Sequence, residues 1–179
     1  MRALTLPLAA AFALVAGTAL AKEYPVGKPQ TQNGMEIGAV YLQPIEMDPP
    51  GMMKAAADSD IHLEADIHAT KSNKNGFAEG DWIPALDIQF ELVKLDDNTK
   101  ISGNFMPMVA SDGPHYGDNV KLAGPGKYKL TYKISPPGAN HANHFGRHTD
   151  KETGVAEWWK PFSVTYEFTY TGIGKKGAY

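Results

Sequence analysis

The 179-residue chain contains no cysteine. That excludes disulfides, cysteine-ligated zinc, a thiol nucleophile and a blue-copper centre, which needs a thiolate. Positive charge is not in excess either: 17 basic against 20 acidic side chains give a net charge of −3, whereas a nucleic-acid-binding surface usually tips the balance the other way. Beyond the first 21 residues no apolar run approaches the ~18 residues of a membrane span. Neither a Gly-x-Ser-x-Gly elbow, a phosphate-binding loop nor a His-Glu-x-x-His helix is present, so nothing marks a nucleophile or a zinc hydrolase. No segment keeps a helical period. What remains is enough for one packed domain: 42% apolar residues exclude disorder for most of the chain.

The first 21 residues form an address. Arg2 supplies a positive charge, Ala3 to Gly17 is an uncharged run rich in Ala and Leu, and Ala19-Leu20-Ala21 places small residues where a signal peptidase cuts. Residues 1–21 are therefore expected to be a signal peptide cleaved after Ala21, leaving 22–179 as a single exported domain in a periplasm-like compartment. Loss of Arg2 leaves 16 basic and 20 acidic side chains, a net charge of −4.

The mature chain is patterned for strands. Met35 to Tyr41 suits one, Ile61 to Ala69 alternates strictly, and Leu86, Ile88, Phe90 and Leu92 alternate with polar residues before the turn Asp96-Asp97-Asn98. Ile101 to Val109 is expected to return as its hairpin partner. Two further alternating runs cover Tyr128 to Ile134 and Val164 to Tyr170, and Gly126-Lys127-Tyr128 suggests a tyrosine corner. The pattern predicts an all-β, immunoglobulin-like antiparallel β-sandwich, with long loops at Met47 to Ser59, Lys71 to Pro84 and Ser135 to Trp158.

All six histidines fall in three segments. In the first, period-two alternation puts His62, Glu64, Asp66 and His68 on the face opposite Ile61, Leu63, Ala65 and Ile67. An ordinary solvated outer face accounts for this; alternatively His62 and Glu64 reach one metal ion, with His68 too far along the strand to join. The second is Met106-Pro107-Met108 followed by Ser111-Asp112, an expected Gly113-Pro114 turn and His115. Met106 fits as core filler, but a turn that folds His115 back toward Met108 would set an imidazole beside a thioether, a pair that favours copper. The third carries His141, His144 and His148 on a polar loop leading to Trp158-Trp159.

Three stretches, Ile61 to Ile67, Phe105 to Gly117 and Gly146 to Val155, resemble the family of periplasmic iron-transport proteins that work beside an Ftr-type iron permease. The resemblance implies an immunoglobulin-like homodimer with copper near the dimer interface. It implies His62, Met108 and His115 as copper ligands, Glu64 as a carboxylate that joins or leaves, and His148 as a further ligand from the opposing loop or the partner subunit. Asp112, with Asp66 and His144, falls in the neighbourhood of a second metal. His144 is the alternative to His148, because Asn140 to Phe145 brings extra histidines.

The expected function is copper-assisted iron uptake, with iron as transported ion handed to, or conditioned for, an inner-membrane permease. Zinc or manganese are possible substitutes at the site. A general periplasmic copper or zinc carrier is the second reading and a copper-dependent iron oxidase the third. A non-enzymatic role fits better than turnover.

Overall fold

The computed structural model describes residues 22–139 and 144–173; the leader and His141 lie outside the described residues. Ten strands form: β1 (Tyr24–Pro25), β2 (Gln30–Gln32), β3 (Met35–Leu42), β4 (Ile61–Ala69), β5 (Asp87–Lys94), β6 (Lys100–Asn104), β7 (Met106–Ala110), β8 (Gly113–Val120), β9 (Gly126–Ser135) and β10 (Phe162–Tyr170). One sheet runs β1-β3-β4-β8-β7, with β2 also paired to β3, and the other runs β10-β9-β5-β6; the strands pair antiparallel throughout the described residues. The only helical element among the described residues is a single 3-10 turn, Ala56–Asp58. The all-β immunoglobulin-like sandwich expected from the alternation is the observed architecture.

Alternation explains how the sheets meet. Ile61, Leu63, Ala65 and Ile67 of β4 are sealed against the inner face of the second sheet, where Tyr128, Leu130, Tyr132 and Ile134 of β9 are equally buried. Burying each of the isoleucines and leucines contributes about 1.5–3 kcal/mol. The tyrosines also bond across the sandwich: Tyr132 donates its hydroxyl to the Glu64 carbonyl at 2.8 Å and Tyr166 to the Ile37 carbonyl at 2.8 Å. The tyrosine corner is present, Tyr128 donating to Gly124 O at 2.6 Å.

Two expectations need correction. Ile101 to Val109 is not one hairpin strand. Lys100–Asn104 pairs with β5, but Met106–Ala110 pairs with β8 in the other sheet, and the chain crosses at Phe105, whose N–H still donates to Ile88 O at 2.9 Å. Gly113-Pro114 is not a turn either. The turn is Ser111-Asp112, since Ala110 pairs with Gly113, and His115 therefore lies in a strand, directly across from Met108.

Candidate metal centre

Three neighbouring strands of the first sheet present their outward side chains in rows. In β4 these are His62, Glu64 and Asp66; in β8, His115, Gly117 and Asn119; in β7, Met106 and Met108. Register matches Met108 with His115, both Met106 and Glu64 with Gly117, and His62 with Asn119. The solvated-face reading of β4 fails at this end. His62 is fully buried and Glu64 5% exposed, because the segment after β3 arches over them.

One amide holds that arch. Asn119, itself buried, accepts from the Ile45 N–H at 3.2 Å and donates to Ile45 O at 2.8 Å and Lys54 O at 2.9 Å. The two donated bonds fix its orientation, so Oδ1 can only accept. Across from it, at 3.0 Å, sits His62 Nδ1. Nδ1 must therefore carry the hydrogen, which leaves a lone pair on Nε2. That nitrogen is buried without a hydrogen-bond partner, a costly condition unless something else uses it.

Its surroundings are donors for a cation. Glu64 Oε1 lies 3.5 Å from His62 Nε2 and 3.3 Å from His115 Nε2, and one ligand atom from each of the three residues falls within 4.8 Å of the others. Gly117 leaves the room: a Cβ there would sit 2.7 Å from His62 Nε2. Above lies a cavity of about 870 Å³ whose lining includes Met106, Met108, Asp112 and Glu23. A buried imidazole with a free lone pair, a second imidazole, a carboxylate and a thioether fit copper well.

Burial sets the charges. Desolvation, opposed in part by the Asn119 hydrogen bond and helped by the nearby His115, holds His62 down at about 4, so it is neutral at pH 7. Desolvation pushes Glu64 up to about 8, helped by the Asp66, Glu23 and Asp112 carboxyls. The His62–Glu64 contact is thus no ion pair at neutral pH: Glu64 holds a proton where a cation would sit. Asp66, also raised by desolvation, flanks it. Below pH 8 an incoming cation must expel the Glu64 proton, while His62 has none to lose. Copper(II) binding at pH 7 should therefore release about one proton more from the wild type than from Glu64→Gln, the difference vanishing above pH 8. Calorimetry in buffers of different ionisation enthalpy measures it, and equal release at pH 7 would contradict the assignment.

Glu23 and Asn119 escape sequence reasoning. β1 pairs Tyr24 with Tyr41 and sets Glu23 at the cavity. Glu23 also neighbours Asp112, whose side chain hydrogen-bonds with it. Partial desolvation and then that bond push Glu23 up to about 7. His68 is half-buried at the other end of β4 and does not line the cavity.

His144 and His148 do not join the site within one chain: neither lines the cavity, and both are exposed. The described part of the His148 loop is nonetheless tied to the domain. Asn75 donates to Ala156 O and Glu157 O at 3.0 and 3.1 Å, and Phe145 stacks on Phe77. Thr153 gives its hydroxyl hydrogen to Asp150 at 2.8 Å and so accepts from His148 Nδ1 at 2.8 Å. His148 is thereby set, like His62, with its Nε2 lone pair free, but with a side chain 75% exposed.

Comparison with known proteins agrees with this frame. The Fe2+ transport protein family matches residues 20–172. The chain belongs to that family. A UPF0423 protein of Brucella abortus is 64% identical over 177 residues, covering 99% of this chain and 96% of the relative. The solved structure of FetP from uropathogenic Escherichia coli strain F11 is 59% identical, covers 86% of this chain and 99% of its own, and superposes with a TM-score of 0.81. Copper-reconstituted P19 of Campylobacter jejuni is 53% identical, with coverage of 86% and 99% and a TM-score of 0.81. Among the described residues no helix is long and apolar enough to cross a membrane.

Proposed function

We propose that this is an exported, periplasmic copper-binding protein of iron uptake, cleaved after Ala21, that hands iron to an inner-membrane permease or conditions it for transfer. The observation that carries the proposal is the buried, partnerless His62 Nε2 facing Glu64 and His115. Family membership supports the iron role, and the copper-loaded structures of P19 and of a FetP variant support the metal.

In this reading His62 and His115 offer imidazole lone pairs, Met108 a thioether, and Glu64 a carboxylate once its proton leaves. The mixed donor set accommodates both Cu(II), which prefers nitrogen and oxygen, and Cu(I), which prefers sulfur. Copper bound there would supply a one-electron couple. Glu23 and Asp112 at the cavity, and Asp66 beside Glu64, offer hard oxygens suited to an iron ion nearby, with His144 of a second copy a further candidate. His148, exposed and held with Nε2 free, is suited to completing the copper site of a second copy in a homodimer.

Copper titration of the mature apoprotein tests this. One tight equivalent per chain is expected for the wild type, lost in His115→Ala and weakened about tenfold or more for Cu(I) in Met108→Leu, the size of loss typical when a metal site is impaired. Identical binding by all three would overturn the site. If copper binds but iron uptake in cells is unchanged without the protein, a general copper or zinc carrier replaces the iron role. An Fe(II) oxidation rate above that in air would instead indicate an oxidase.

A further inference from the structure

Four of the chain's seven methionines, Met47, Met52, Met106 and Met108, line the one cavity above the histidines. Only Met108 has a part in the site proposed above. Methionine ordinarily fills gaps in a core, as the fully buried Met35 does. Met52 cannot be explained that way, being 52% exposed, and Met47 is only half-buried. Both sit on the arch between Ile45 and Lys54, a loop where polar residues would cost nothing.

The arch is also built rather than slack. Its two ends are gripped by the Asn119 amide, the group that orients His62. The thioethers thus line the same cavity as His62, on a segment tethered by the side chain that orients its ring. Glu46 and Asp48, on the same arch, line the same cavity and raise the local concentration of cations without selecting among them. Selection falls to the sulfurs. Neutral thioethers are poor ligands for Cu(II), zinc and Fe(II), and good ones for a soft monovalent cation.

We infer that Met47 and Met52, with Met106, form a second metal site at the cavity mouth, which captures Cu(I) by thioether ligation and passes it to Met108 and the histidines below. Copper would then arrive by the sulfur-lined mouth while iron is held by the carboxylates. This rests on the copper reading of the floor.

The redox-silent ion Ag(I) separates the two. In protein labelled with 13C at the methionine methyls, Ag(I) is expected to shift Met108 first, then Met47, Met52 and Met106 as a second equivalent is added. The double variant Met47→Leu/Met52→Leu, close in volume and so expected to fold, should take Cu(I) from a chelated donor about tenfold more slowly while loading Cu(II) at the wild-type rate, a loss on the scale of lost local concentration. Met108 shifting while Met47 and Met52 stay still would overturn the mouth site and leave the floor standing. No shift at Met108 either would overturn both. Wild-type Cu(I) loading by the double variant, or a change confined to its self-association, would overturn the mouth site as well.

Discussion

Gly117→Ala should abolish tight copper binding, with affinity falling at least about 100-fold, while the protein stays folded. The added Cβ would lie 2.7 Å from His62 Nε2 and 3.0 Å from Cε1, well inside contact distance. His62 cannot give way: its ring is fully buried and its far side is bonded to Asn119. Either the ring is forced off its position or the methyl occupies the space of the ion, and both remove a ligand. A loss at the upper end of the 10- to 100-fold range seen when groups next to metal ligands change, or beyond it, is therefore expected. Alanine is otherwise acceptable in a strand, so overpacking should cost only about 1–3 kcal/mol. Competitive titration against a chelator, alongside a thermal melt, checks both. Wild-type affinity in a folded variant would show that copper does not use this nitrogen.

Asn119→Ala should be damaging in a different way. It removes four hydrogen bonds at once, to Ile45 N, Ile45 O, Lys54 O and His62 Nδ1. At about 1 kcal/mol net each, and more for groups left buried without partners, a loss of roughly 3–5 kcal/mol is expected. In a domain of this size that lowers the melting temperature by about 6–20 °C. The second effect is on His62, which becomes free to exchange tautomers. Nitrogen NMR of the apoprotein should show Nδ1–H alone in the wild type and a mixture in the variant. A variant as stable as wild type would mean that the arch is held by something other than this amide.

The strands with two-faced alternation are legible from residue order alone, and Ile61 to Ala69 matches β4 end to end. β8 was not, because Gly113, Pro114 and Gly117 carry turn chemistry. They are tolerated there for separate reasons: Gly113 has a positive φ of 134° beside the turn, Pro114 pairs with the edge strand β7, and Gly117 is the gap the site requires. The change of sheet at Phe105 is marked only by a slip of phase, the buried Phe105 being followed directly by the half-buried Met106 where an exposed residue is due. Of the candidate ligands, His62, Glu64 and His115 converge, since strand register is a local consequence of alternation and a short turn. Burial of that face was not legible, because it depends on an arch from another part of the chain. Glu23 and Asn119 gave no signal at all: each is a single polar residue whose role is defined by what folds against it.

The docking of β1 has a practical consequence for how the protein is made. Tyr24 is tied to β3, and Glu23, immediately before it, reaches the cavity. Any polypeptide fused ahead of Lys22 would therefore begin at the mouth of the site. A polyhistidine tag placed there would deliver competing imidazoles to the position where copper is to be counted, and its own affinity would be measured in their place. β10, the last strand, belongs to the opposite sheet. Purification handles belong after it, and an amino terminus trimmed to Lys22 is the form in which stoichiometry has meaning.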